Sequence, residues 1–399
     1  MPHSTDPLRS FWLGGFESAC HVNRRGERLD MVRATGHDAR LDDDYAALRE
    51  LEIGAAREGV RWRAIEPGGK WDFDSLRATM TAARRHQVQV LWTLCHYGWP
   101  DDLELLSPAF IDRFARYCRA VARCLVEESD GPFVFTPMNE ISFVAWASAK
   151  DGYICDAGNG NSSGDPVKRQ LVRAAIAGIE AIRDVIPDAR ILHAEPLIHV
   201  LAPRDRPDLA DAAAAEREAQ FEAWEMLAGR AAPELGGDPR YLDLLGVNFY
   251  HANQFEYPDR RLRWEDEPRD GRWVPLHQLL AEVHGRYGRP LVITETSHFG
   301  GGRARWIREI AREARAALDC GVPLHGVCLY PVIDRPDWDD PDAWHHSGLW
   351  DLVKADDGTL TRVPAADYLE AVREAQRIVR VTQPGHAPDE VDGAAADAP

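Results

Sequence analysis

Phe133-Val134-Phe135-Thr136-Pro137-Met138-Asn139-Glu140 and Pro290-Leu291-Val292-Ile293-Thr294-Glu295 are two short apolar runs that each close on a carboxylate. Both are shorter than an ordinary helix and rich in β-branched or aromatic residues, as expected of strands buried on both faces. Working outward, runs of the same kind recur at Phe11 to Phe16, Glu58 to Trp62, Gln89 to Cys95, Arg190 to Glu195, Leu244 to Tyr250 and His325 to Tyr330. Eight strands are therefore expected.

The stretches between them have helical period. Tyr45, Leu48, Leu51 and Ala55 make one apolar stripe; Phe110, Phe114, Tyr117, Val121 and Leu125 make a second; Trp306, Ile307, Ile310, Ala314 and Leu318 make a third. Asp74 and Ser107 stand where N-caps belong, and Gly321 stands where a glycine stop belongs. Alternating βα units predict an α/β fold. Residues 1–381 are expected to form a single (β/α)8 (TIM) barrel with long βα loops at its C-terminal face, since about 250 residues suffice for the bare fold. A doubly wound sheet would call for a glycine-rich phosphate loop after the first strand, and Gly14-Gly15-Phe16-Glu17 does not supply G-x-G-x-x-G. Three stretches are expected as long loops: Asn23 to Leu41, Gly152 to Asp165 and His251 to Trp273. Residues 382–399 lose their apolar anchors and are expected to be a disordered acidic tail.

Composition narrows the partners. With 65 acidic and 47 basic residues among 399, the formal charge is −18, which disfavours nucleic acid because phosphate binding needs clustered Lys and Arg. No apolar run approaches the roughly 20 residues that span a bilayer, and the first ten residues lack a signal peptide's apolar stretch, so no membrane association and a cytoplasmic location are expected. The seven cysteines include no C-x-x-C pair and read as reduced structural thiols. Cys95-His96 and His345-His346 lack convincing ligand spacing, so no metal is expected.

Function is expected at the mouth where strands four and seven end, because barrel enzymes place catalytic groups at the C-terminal face. Glu140 and Glu295 both fall there. Glycoside cleavage needs a proton donor for the leaving oxygen and a second carboxylate beside the anomeric carbon; about 5 to 5.5 Å between them means retention and about 6.5 to 9.5 Å inversion. Glu295's charge is expected to raise the pKa of Glu140, and a nearby Arg to hold Glu295 charged.

The residues resemble glycoside hydrolase family 1, the β-glucosidase and β-galactosidase family, over nearly the whole stretch from Phe11 to Leu352. Phe135-Thr136-Pro137-Met138-Asn139-Glu140 is similar to its T-[FL]-N-E-P acid/base motif, and Val292-Ile293-Thr294-Glu295-Thr296-Ser297 to its I-T-E-N-G nucleophile motif. The resemblance implies that Glu140 is the acid/base and Glu295 the nucleophile. It further implies that Arg57 contacts the nucleophile, as does Tyr250 of Gly246-Val247-Asn248-Phe249-Tyr250, and that His96 of Leu94-Cys95-His96-Tyr97-Gly98-Trp99-Pro100 reads sugar hydroxyls. Asn139, Asn248, Tyr330, Asp337 and Trp338 complete the implied site, the last two within Val332-Ile333-Asp334-Arg335-Pro336-Asp337-Trp338. Departures fall mainly on sugar-reading positions: His21 stands for a Gln, Asn23 and Asp337 for Glu, and Tyr330 for a Trp, while Ile141 replaces the Pro after the acid/base.

The expected activity is a retaining β-glycoside hydrolase working on a small glycoside through a covalent glycosyl-enzyme, with no organic cofactor. A transglycosidase with a specialised acceptor, and a carbohydrate-binding barrel without turnover, are the alternatives. Glu17 has no implied role; His193 and Glu195, at the end of strand five, are equally open to structural and site roles. The sequence does not give the oligomeric state.

Overall fold

A computed structural model describes residues 7–149, 153–154, 163–356 and 358–380. The expected tail, Cys155 and most of the Gly152 to Asp165 loop lie outside them.

Eight parallel strands close into a barrel: β1 (Trp12–Gly15), β2 (Ala55–Gly59), β3 (Gln89–Cys95), β4 (Val134–Met138), β5 (Arg190–Pro196), β6 (Leu244–Asn248), β7 (Leu291–Thr296) and β8 (Leu324–Leu329). They pair in sequence order, and β1 closes the ring between β2 and β8. Helices run back along the outside: α1 (Leu41–Glu50), α2 (Asp74–Arg85), α3 (Pro108–Glu128), α4 (Asp165–Arg183), α5 (Ala210–Ala219), α6 (Leu276–Tyr287), α7 (Gly302–Asp319) and α8 (Ala366–Ile378). The stripe of Phe110, Phe114, Tyr117, Val121 and Leu125 is fully buried under α3, each large side chain contributing roughly 1.5–3 kcal/mol. Among the described residues, no helix is long and apolar enough to cross a membrane.

The second strand differs from the sequence reading. It spans Ala55–Gly59, and Trp62 instead starts a four-residue helix, Trp62–Ile65. Ala55 closes the expected helical stripe, yet α1 stops at Glu50, and Ala55 is buried with Ala56 in the barrel wall. A charged pair, Arg57-Glu58, inside a strand masks its β character. Asp74, the expected cap, is instead the first residue of α2, one past the observed cap Phe73, and its N–H is bonded by the Asp72 carboxylate at 3.0 Å. Ser107 does precede α3, and Gly321 takes φ +82° after α7, an angle glycine adopts without strain.

Alternation along the strands builds the floor of the site. Leu13, Ala55, Leu91, Val134, Leu192, Leu244, Val292 and Cys328, one from each strand, pack together as an apolar plug. Two residues on, the same faces carry Gly15, Arg57, Thr93, Thr136, Ala194, Gly246, Thr294 and Tyr330. The barrel interior thus changes from hydrocarbon to polar toward the C-terminal ends. The loop from His251 to Trp273 folds over that rim as two short strands, Gln254–Glu256 and Arg260–Arg261, the first paired with His199–Leu201.

Candidate active site

A bulge in β7 aims Glu295. Ile293 is level with Val247 of β6, but the next partner of Asn248 is Glu295, so Thr294 is an extra residue in the strand. Strict alternation would point Thr294 and Glu295 to opposite faces; the bulge re-aims the carboxylate inward. There Arg57 Nη1 donates to Glu295 Oε1 at 2.5 Å and the Tyr250 hydroxyl to Oε2 at 2.8 Å. Thr294 Oγ1 donates to Asn248 Oδ1 at 2.6 Å, which turns the Asn248 amide toward the other carboxylate.

Glu140 lies two residues past β4 with φ +47°, its N–H bonded to the Ala194 carbonyl of β5 at 2.9 Å. Asn248 Nδ2 donates to Glu140 Oε1 at 2.9 Å, and the Tyr97 hydroxyl donates to Oε2. Asn139 joins the two halves: its Oδ1 accepts from Arg57 Nη2 at 2.5 Å, and its Nδ2 donates to the Tyr97 hydroxyl at 2.9 Å. One chain of hydrogen bonds therefore runs from Glu295 through Arg57, Asn139 and Tyr97 to Glu140.

The two carboxylates sit in unlike surroundings. Burial, then repulsion from Glu295, push Glu140 up to about 8, against the hydrogen bonds from Tyr97 and Asn248. Glu295 instead faces the buried Arg57 guanidinium, a full opposite charge.

Sugar-reading candidates surround this chain. His96 is buried with Nδ1 near Ser18 Oγ (3.1 Å) and the Tyr330 hydroxyl (3.3 Å) and Nε2 3.4 Å from Asn139 Nδ2. Burial and then the Arg57 charge hold its pKa well below the usual histidine range, so the ring is neutral. Tyr330 also lies under Arg57, with 5.6 Å from guanidinium carbon to ring centre. His21 is fully buried, and neither ring nitrogen has a hydrogen-bond partner among the described residues. Burial and the charges of Arg28 and Arg335 push it down to about 3, leaving a neutral ring 4.7 Å from that of Trp338. Trp338 in turn contacts Tyr97, Phe143 and Tyr153, an aromatic wall on one side of the site.

Asp337 is not brought into this cluster. Its Oδ1 accepts the N–H groups of Asp339 and Asp340 and its Oδ2 faces His345 at 2.9 Å, so it shapes its own loop. Asn23 ties that loop to the first one, donating to the Trp338 carbonyl at 2.8 Å. Glu195 accepts the Ser142 N–H at 2.9 Å, at the start of the helix Ile141–Ala149; burial pushes it up to about 7 against that bond. His193 Nε2 lies 3.1 Å from the Tyr241 carbonyl. Glu17 is buried with Oε2 3.3 Å from Arg335 Nε. Sequence reasoning missed Tyr97 and Ser18. The signal for Tyr97 was its place directly after His96.

No family model and no curated protein sequence matches the chain. Solved structures do. The AHE enzyme from Alicyclobacillus herbarius has a TM-score of 0.71 at 20% identity, covering 93% of this chain and 98% of its own. The β-glycosidase BGL167 has a TM-score of 0.69 at 19% identity, covering 88% and 89%. A family 1 β-glucosidase from Thermotoga maritima, in complex with isofagomine lactam, has a TM-score of 0.69 at 18% identity, covering 86% and 87%. At such identities the likeness establishes the fold alone: this chain is folded as those three proteins are.

Proposed function

We propose that the protein is a retaining β-glycoside hydrolase that removes a terminal sugar from a small glycoside or oligosaccharide. One observation carries the reading: Glu140 and Glu295, from the ends of β4 and β7, belong to one hydrogen-bonded chain yet differ in charge environment. Two carboxyls with two environments suit two roles.

Glu295, with Arg57 and Tyr250 fixing its oxygens, attacks the anomeric carbon and forms a glycosyl ester. Glu140 gives its proton to the departing glycosidic oxygen, then takes one from the water that cleaves the ester. Atoms balance without a metal or organic cofactor in any step. His21, His96, Asn139 and Asn248 offer polar atoms to sugar hydroxyls, and Trp338 an apolar face to the ring. The sugar-like inhibitor bound by the Thermotoga enzyme supports a carbohydrate as the partner here.

Glu295→Ala tests the reading. Turnover of aryl β-glycosides should fall by at least about 10⁴-fold, the scale of losing a nucleophile. The wild-type enzyme should release the β-anomer first, seen by proton NMR. Undiminished turnover in the variant, or the α-anomer from the wild type, would overturn it.

A further inference from the structure

Two buried imidazoles converge on one carboxylate beside the nucleophile strand. His251 follows Tyr250 past the end of β6, His298 follows Glu295 past the end of β7, and Glu265 comes from the long loop that crosses the rim. His298 Nε2 lies 3.2 Å and His251 Nε2 4.0 Å from Glu265 Oε1, and the imidazole rings are 4.0 Å apart at 36°. One candidate ligand atom from each residue lies within 4.8 Å of the other two. Glu265 Oε2 is buried with no hydrogen-bond partner among the other described residues. Trp264, Phe299 and Trp306 wall the histidines.

We propose that His251, Glu265 and His298 form a binding site for a divalent transition-metal cation of the zinc class. Metal–nitrogen and metal–oxygen bonds of about 2.0–2.2 Å at a tetrahedral angle put two ligand atoms roughly 3.3 Å apart. The His298–Glu265 pair already has that spacing, and His251 reaches it with a shift of about 0.7 Å. The Phe299 backbone holds the ring from the other side, its N–H 2.7 Å and its carbonyl 3.1 Å from His298 Nδ1, so that Nε2 faces Glu265. Arg261 Nη2, 3.2 Å from the same Glu265 oxygen, is the competing cation. A bound ion would clamp the loop that carries Tyr250 to the one that follows Glu295. The site takes no part in the chemistry proposed above, so either can fail alone.

The full chain, stripped with a chelator, is titrated with Zn²⁺ by calorimetry and with Co²⁺ by visible absorption. One equivalent should bind, Co²⁺ should show the d–d bands of a four-coordinate site, and thermal stability should rise with Zn²⁺ concentration. His298→Gln and Glu265→Gln should weaken binding by at least about 10- to 100-fold, the loss that removing even an outer partner causes. Arg261→Ala should tighten it by freeing the carboxylate. Should His298→Gln not fold, the partly exposed Glu265 and Arg261 carry the test. Absence of stoichiometric binding, or affinity unmoved in both Glu265→Gln and Arg261→Ala, overturns the site.

Discussion

The hydroxyl of Tyr97 donates to the carboxyl of Glu140, and both residues hold left-handed backbones, at φ +58° and +47°. Such angles cost of order 1–3 kcal/mol each in a non-glycine residue and persist only where surroundings enforce them. Here β3 and β4 do so, the Asn139 N–H bonding to the Cys95 carbonyl at 3.0 Å. The Tyr97 bond favours the ionised form of Glu140, and burial and Glu295 oppose it. Tyr97→Phe should therefore raise the Glu140 pKa above its value of about 8 and move the basic limb of kcat/KM to higher pH. Turnover at neutral pH should drop about fivefold, the weight of one hydrogen bond of about 1 kcal/mol. A pH profile that does not move would show that Tyr97 does not act on Glu140.

Glu140→Gln removes the proton donor and keeps the shape. Natural-type glycosides with poor leaving groups should lose about 10²–10⁴-fold in kcat. Aryl glycosides whose phenols leave as anions need no proton, so their first step should be nearly intact. Equal losses on both substrates would deny Glu140 the acid role.

The strands other than β2 were legible because each is a short, largely apolar run bounded by turn residues, and the α3 stripe because five large side chains keep helical period. Strand β2 was misplaced because Arg57 and Glu58 put charge inside it, for a reason that lies in the tertiary structure: Arg57 meets Glu295 across the barrel. Glu140 and Glu295 were readable from their positions at strand ends. The β7 bulge was not, since it exists only in the pairing with β6. Tyr97 was hidden for a similar reason: its side chain is placed by a left-handed backbone that its neighbours enforce. Asp337 followed the resemblance, while its carboxylate answers to the local N–H groups of its own turn.

Gly15 makes room for Tyr330. A Cβ at Gly15 would stand 2.2 Å from Tyr330 Cδ2, inside any tolerable contact. Gly15→Ala should push that ring off Arg57 and His96, costing about 1–3 kcal/mol of stability. Denaturant midpoints measure the stability cost, and a raised KM for glycosides the displaced ring. An alanine variant with wild-type midpoint and KM would mean that the Tyr330 position matters to neither.

A second buried network, away from the carboxylate pair, sets a pH limit on the fold. His37 Nδ1 is 2.8 Å from Asp44 and its Nε2 3.1 Å from Glu58, while Arg362 also reaches Asp44 at 2.8 Å. Burial acts to lower the His37 pKa, but the charge of Glu58 and the bonds to both carboxylates outweigh it and push it up to about 9. An imidazolium held more tightly in the folded chain than in the unfolded one, where it titrates near about 6.5, stabilises fully below that pH. Stabilisation is then lost progressively as pH rises toward about 9. The span corresponds to about 3 kcal/mol. Urea unfolding from pH 6 to pH 10 should show that decline, since the folded state binds the extra proton throughout the window. In His37→Gln the decline should vanish, with lower stability at pH 6. If the variant and wild type fall in parallel as pH rises, another group is responsible and the His37 charge is not a support of the fold.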